Sequence, residues 1–151
     1  MTTLKAGDKA PDFKALDEQG NTVELSDYSG KKLVVFFYPK ASTPGCTAEA
    51  CDLNDNFDRF QAKGYEILGV SADSAKRQSN FKNKYGFKYP LLADEDKAVI
   101  QAFGVWGPKK FMGKEYDGIH RTTFIIDENG TIEEVITKVK TKAHATQILD
   151  A

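Results

Sequence analysis

The sequence predicts an α/β chain with a mixed central sheet flanked by helices on both faces and an N-terminal β-hairpin. Three observations carry this. The run LVVFFY at Leu33 to Tyr38 has the unbroken apolar character of a strand buried on both faces. Strand-like and helix-like periodicities alternate after it, as they do in βαβ units. Two turn signals, Asp17-Glu18-Gln19-Gly20-Asn21 and Asp127-Glu128-Asn129-Gly130, each separate two short β-prone runs and so mark hairpins.

Each element has a local reason. Asp12 to Leu16 and Thr22 to Leu25 flank the first turn. Leu33 to Tyr38 follows as the central strand, and Pro39, which lacks an N–H for the ladder, stops it. From Pro44 to Ala62 the residues Cys46, Ala50, Leu53, Phe57 and Phe60 fall at a 4-3-4-3 spacing, one face of a helix. Tyr65 to Ser71 is a second strand, and a helix near Ser74 to Tyr85 is closed by Gly86. Pro90-Leu91-Leu92 forms a short strand, and Ala98, Val99, Ala102 and Phe103 a short helix. Gly104 to Gly118, rich in glycine and lysine, reads as a loop in which Trp106 and Phe111 pack. Thr122 to Ile126 and Thr131 to Thr137 flank the second turn, and Thr141 caps a closing helix that carries Ile148 and Leu149.

The 151 residues fit a single domain spanning 1–151, and 40% hydrophobic with 28% charged residues is the balance of a globular chain with a packed core. The net charge of -1, with lysines interleaved among acids, argues against a nucleic-acid partner. No segment approaches the roughly 18 apolar residues of a membrane span, and MTTLKAGDKAPDF lacks the apolar run of a signal peptide, so the expected location is the cytoplasm. In a reducing compartment two cysteines five positions apart suggest redox or metal chemistry rather than a permanent cross-link.

The chemistry concentrates in YPKASTPGCTAEAC, Tyr38 to Cys51. With Thr43 as N-cap, Pro44 takes the first helical position, where its missing N–H costs nothing, and Cys46 the third. Unsatisfied N–H groups and the helix dipole give that turn a partial positive charge, which favours thiolate over thiol. Gly45 leaves room for a small substrate at the helix start. Cys46 is thus the candidate nucleophile. In an intact helix the Cα atoms of Cys46 and Cys51 are about 8.7 Å apart with side chains about 140° apart around the axis. A disulfide needs less than roughly 7 Å, so joining them requires the helix to unwind. Taken singly, each residue also has an ordinary role: Cys46 as a buried apolar side chain, Thr43 as a cap, Pro39 as a strand end, Arg121 as a surface cation.

The segment Pro39, Thr43, Cys46 matches the Pro-x-x-x-Thr-x-x-Cys signature of peroxiredoxins, and CTAEAC resembles the Q-type subgroup, the bacterioferritin comigratory proteins. GDKAPDF, IHRTTFIID and KTKAHA extend the similarity over nearly the whole chain. The resemblance implies a thioredoxin-like fold and reduction of hydrogen peroxide and organic hydroperoxides, with regeneration by thioredoxin or a similar dithiol protein. It implies that Cys46 attacks the peroxide and becomes a sulfenic acid, and that Cys51 resolves it as a disulfide. Thr43 and Arg121 would then contact peroxide and thiolate, Pro39 would shield them, and Glu49 would orient Arg121. No cofactor is expected, and a monomer suffices because both cysteines lie in one chain.

Other readings fit less well. His120 and His144 with the two cysteines lack the paired spacing of a structural zinc site, so no metal is expected. There is no C-x-x-C of a disulfide exchanger. A non-enzymatic thiol switch built on the same cysteines is separated from a peroxidase by turnover.

Overall fold

A computed structural model describes residues 2–150. The chain runs through β1 (Lys14–Leu16), β2 (Thr22–Glu24), a 3-10 turn (Leu25–Tyr28), β3 (Lys32–Phe37), α1 (Pro44–Asp55), α2 (Phe57–Ala62), β4 (Tyr65–Ser71) and α3 (Ala75–Tyr85). It continues through β5 (Leu91–Ala93), α4 (Ala98–Ala102), β6 (Trp106–Phe111), β7 (Lys114–Ile119), β8 (Thr122–Ile126), β9 (Ile132–Ile136) and α5 (His144–Leu149).

Five strands form one mixed sheet in the order β5-β4-β3-β8-β9, with β3, the apolar run, at its centre. β3 is parallel to β4 and antiparallel to β8, and β4 is parallel to β5. Alternation along β3 feeds two cores. Val34, Phe36 and Tyr38 face Cys46, Ala50 and Leu53 of α1, Phe60, Phe81, and Ala145, Ile148 and Leu149 of α5. Leu33, Val35 and Phe37 face Phe13 and Val23 of the N-terminal region with Val99, Ile100 and Phe103. Each fully buried side chain of this size contributes about 2 kcal/mol. Helices therefore cover both faces, as the two-sided burial of β3 requires. β1 and β2 pair as the expected hairpin.

Three local expectations change. The helix from Pro44 to Ala62 is two helices, broken at Asn56 (φ -104°, ψ 14°). The apolar stripe continues across the break, so periodicity alone did not mark it. Asn54, Asp55 and Asn56 are weak helix formers, and their side chains compete with the ladder. Asn56 donates to the Asp52 carbonyl, and Asn54 accepts from the Lys88 N–H and donates to the Gly86 carbonyl.

Second, Gly104 to Gly118 is not a loop. β6 and β7 pair along its length through a two-residue turn, Met112-Gly113, with both residues at positive φ. That is the left-handed turn that suits strand twist, here with methionine where asparagine or aspartate is usual. Trp106 packs partly buried with Lys97 over its ring, and the Phe111 side chain lies outside the described residues.

Third, Thr141 does not cap the closing helix. α5 starts at His144 after Ala143. Its first-turn N–H at Ala145 is instead accepted by the Asp52 carboxylate of α1, 2.7 Å away, a cap supplied across the fold.

Candidate active site

The site forms where β3 leaves the sheet. Tyr38 is fully buried, its hydroxyl donating to Gln78 Oε1 at 2.6 Å. Pro39 follows, half-buried, and ends the ladder. The next residues are tied to the β4 end: the Ala41 N–H donates to Asp73 Oδ2 at 2.8 Å, and Ser71 Oγ donates to the same oxygen at 2.7 Å. Ser42 takes a left-handed conformation, φ +66°, which costs a non-glycine residue about 1–2 kcal/mol and is held by this anchoring. The chain then enters α1 with Thr43 as N-cap and Pro44 in its first turn.

The Thr43 cap is made by its backbone. Its carbonyl accepts from the Thr47 N–H at 2.8 Å, but its hydroxyl donates to the Lys40 carbonyl at 2.7 Å instead of accepting from a helix N–H. The hydroxyl proton is thus committed, and the oxygen keeps its lone pairs for an incoming donor. Cys46, in the first turn, is buried to 1% exposure.

Arg121 stands immediately before β8. Because β8 runs antiparallel to β3, Thr122 lies opposite Phe37, which brings Arg121 beside the strand exit. Its Nη2 donates to Cys46 Sγ at 3.3 Å, and its Nη1 to Glu49 Oε1 at 2.6 Å. One guanidinium therefore bridges Cys46 and Glu49 on α1, a use of its fixed fork that a lysine could not copy. Gly45 makes this approach possible, since a Cβ there would sit 3.3 Å from Arg121 Nη2.

Glu49 is completely buried. Burial pushes its carboxyl up to about 7 against the opposing pull of Arg121. Its second oxygen, Oε2, accepts no hydrogen bond and lies 3.5 Å from Nε2 of His144, which is also fully buried. The same Nε2 is 2.7 Å from Thr123 Oγ1, and His144 Nδ1 is 2.8 Å from Gln147 Oε1. Burial holds the imidazole below its ordinary value.

Cys51 sits on the same unbroken helix as Cys46, partly buried, and both are free thiols. Burial, and then the Asp55 carboxylate, push the Cys51 thiol up, which keeps it protonated. A helix start carrying a cysteine under an arginine is equipped to hold a thiolate and to stabilise negative charge on an oxygen being expelled beside it.

Comparison with known proteins agrees with that chemistry. Residues 6–135 match the AhpC/TSA family. The chain belongs to the AhpC/TSA family. Within it, the chain is 49% identical over 150 residues to peroxiredoxin Bcp of Escherichia coli K12, covering 99% of this chain and 96% of that one. PrxQ of Xylella fastidiosa superposes with a TM-score of 0.93 at 32% identity, over 99% and 96% of the two chains. The bacterioferritin comigratory protein of Xanthomonas campestris, whose structure was described for alkyl peroxide reduction, superposes at 0.86 with 40% identity over 91% and 88%. The fold is the thioredoxin-like fold of these peroxiredoxins, and the chain is a thiol-dependent peroxidase.

Of the family residues expected from sequence, Cys46, Thr43 and Arg121 gather at the start of α1, with Pro39 at its approach, while Cys51 stays more than a helical turn away. Glu49 grips Arg121 as the resemblance implied. Three further neighbours join the site; of these only His144 stood out in the sequence, and only as a rejected metal ligand. Thr123 and His144 complete the surroundings of Glu49. Lys109, on β6 of the hairpin, donates to the Ile119 carbonyl at 2.9 Å. Burial and the Arg121 charge hold its ammonium low, while the Cys46 charge works the other way.

Among the described residues no group of three or more His, Cys, Asp or Glu side chains could hold a metal ion, and no helix is long and apolar enough to cross a membrane.

Proposed function

We propose that the chain reduces hydrogen peroxide and organic hydroperoxides with Cys46 as attacking thiolate and Cys51 as resolving thiol. The observation that carries this reading is the 3.3 Å contact from Arg121 Nη2 to Cys46 Sγ at the first turn of α1. A sulfur lone pair forms the S–O bond while the O–O bond breaks and its pair leaves on the distal oxygen. That oxygen takes up a proton, and Cys46 becomes a sulfenic acid. Arg121 and the helix N–H groups oppose the charge that develops on the leaving oxygen. The Thr43 oxygen, its own proton committed to Lys40, accepts a hydrogen bond from the peroxide O–H. Pro39 shields the sulfur.

The Cys51 thiol then condenses with the sulfenic acid, releasing water and forming the Cys46–Cys51 disulfide. Thiol–disulfide exchange with thioredoxin or a similar dithiol protein restores both thiols. The chain acts as a single domain and as a monomer, in the reducing cytoplasm, where such a reductant is maintained.

The test is peroxide consumption with thioredoxin and its reductase, beside a free-thiol count after one equivalent of hydrogen peroxide. Sustained turnover with loss of two thiols per chain is expected. Cys46→Ser abolishes it; Cys51→Ser still consumes one peroxide per chain. An inert Cys51→Ser variant would reverse or remove the assigned roles.

A further inference from the structure

Behind Arg121 lies a set of buried groups to which the peroxide chemistry assigns no proton. Glu49 Oε2 is fully buried without a hydrogen bond, 3.5 Å from His144 Nε2. A buried carboxylate oxygen left bare is costly, and protonation removes the cost.

The neighbouring hydrogen bonds fix the state of His144. Gln147 Nε2 donates to the Lys138 carbonyl at 2.8 Å, which sets the amide orientation and leaves Gln147 Oε1 as an acceptor. That oxygen accepts from the Lys140 N–H and faces His144 Nδ1. The proton of a neutral imidazole is therefore on Nδ1, and the Nε2 lone pair points at the Thr123 hydroxyl and Glu49. Glu49 in turn meets Arg121, whose other nitrogen is on Cys46. Two potential anions share one guanidinium.

We propose that Glu49, His144 and Thr123 form a proton-holding site behind Arg121, in which Glu49 keeps a proton while Cys46 is a thiolate and gives it up when the sulfur becomes neutral. With the thiolate present, Arg121 is drawn to the sulfur, and a second negative charge on Glu49 is disfavoured. When peroxide converts the thiolate into a neutral sulfenic acid, the guanidinium is left to Glu49 alone, and the carboxylate is favoured. The step that consumes a proton at the leaving oxygen thus releases one from Glu49. The linkage is reciprocal: a protonated Glu49 leaves the whole Arg121 charge to the thiolate. His144 and Thr123 are positioning residues that stabilise the protonated carboxyl.

Other titratable groups also act on the site, among them the buried Tyr38 just after β3, which faces Cys46 and is raised by burial. Asp52 of α1 acts on His144, Tyr89 before β5 faces Glu49, and Lys109 of β6 faces Arg121 and Cys46. Burial raises Tyr89 far above neutrality, so it stays protonated, and the feature that changes with Cys46 chemistry is the charge on the sulfur.

This inference rests on Cys46 as the attacking thiolate, but its test reads Glu49 directly. Infrared titration of the full chain follows the C=O stretch of a protonated buried carboxyl in the wild type, in Cys46→Ser and in Glu49→Gln. The band is expected in the wild type and lost in Glu49→Gln. In Cys46→Ser its midpoint should fall by about one pH unit. Nitrogen NMR of His144 should show the neutral Nδ1–H tautomer throughout. Should Glu49→Gln fail to fold, the His144 shifts in the wild type report the same titration. Absence of the band, an equal midpoint in Cys46→Ser, or an imidazolium over that range overturns the proposal. Lost turnover in Cys46→Ser with an equal midpoint would retain the peroxidase reading and discard the proton site.

Discussion

At the scale of single residues, Gly45 separates fold from chemistry. It lies in the first turn of α1 with no left-handed conformation to require glycine. Alanine there would ordinarily stabilise a helix, by up to about 1 kcal/mol in its interior and less in the first turn. Its Cβ would nevertheless stand 3.3 Å from Arg121 Nη2, which must retreat by a few tenths of an ångström from the contact that holds Cys46. A charge-assisted hydrogen bond is worth about 1.5–3 kcal/mol, so losing half of one at the strong end, about 1.4 kcal/mol, slows attack by about tenfold. Gly45→Ala should melt at or slightly above the wild-type temperature and consume peroxide about tenfold more slowly in stopped flow; an unchanged rate would mean that the Arg121 position is not limiting. Cys46 and Thr43 were legible because capping is local in sequence. Arg121 was not legible without the family resemblance, since its position depends on the pairing of β8 with β3. His144 stood out only as a rejected metal ligand, because its partners come from α1, β8 and its own helix, and no spacing announces them.

At the scale of elements, α1 sets what the proposed Cys46–Cys51 disulfide requires. Cys46 and Cys51 share an intact helix, whose geometry keeps their Cα atoms about 8.7 Å apart. The last residues before Cys51 are held by the fully buried Tyr89, whose hydroxyl donates to the Ala50 carbonyl at 2.7 Å. Just beyond it, Asp52 caps α5. Unwinding for the disulfide must release such contacts. Tyr89→Phe removes one hydrogen bond of about 1 kcal/mol that is present only in the wound helix. The first reaction with peroxide should be unchanged, while closure of the disulfide, followed by quenched-flow mass analysis, should accelerate up to about fivefold. An unchanged closure rate would show that the helix near Ala50 stays wound. The break at Asn56 and the β6–β7 hairpin were illegible for related reasons. An apolar stripe continues across the first, and the second lacks strict alternation and carries Pro108 on a two-stranded ribbon, where an edge tolerates it.

At the scale of the whole molecule, the two-sided burial of β3 made the layered architecture readable from one apolar run, but not the charge buried beneath it. Nothing in the stripe of α1 distinguishes Glu49 from a solvent-facing acid, because helical spacing leaves it at the margin of the apolar face. That buried carboxyl makes stability depend on pH with a definite sign. Glu49 has its ordinary value of 4.5 when unfolded and is raised to about 7 when folded, so between these the native state binds more protons. Stability from this group is full on the acid side and is lost as pH rises through about 7. His144 acts oppositely. Burial lowers it, so the unfolded chain binds more protons below its ordinary 6.5, and its contribution is lost as pH falls below that value. Glu49→Gln cannot ionise and removes the first dependence while keeping a similar shape. Urea unfolding at about pH 5 and about pH 8 should show the wild type losing stability relative to this variant as pH rises. Parallel pH dependence of the two proteins would mean that Glu49 ionises in the fold as easily as in the unfolded chain, and that Arg121 alone offsets its burial.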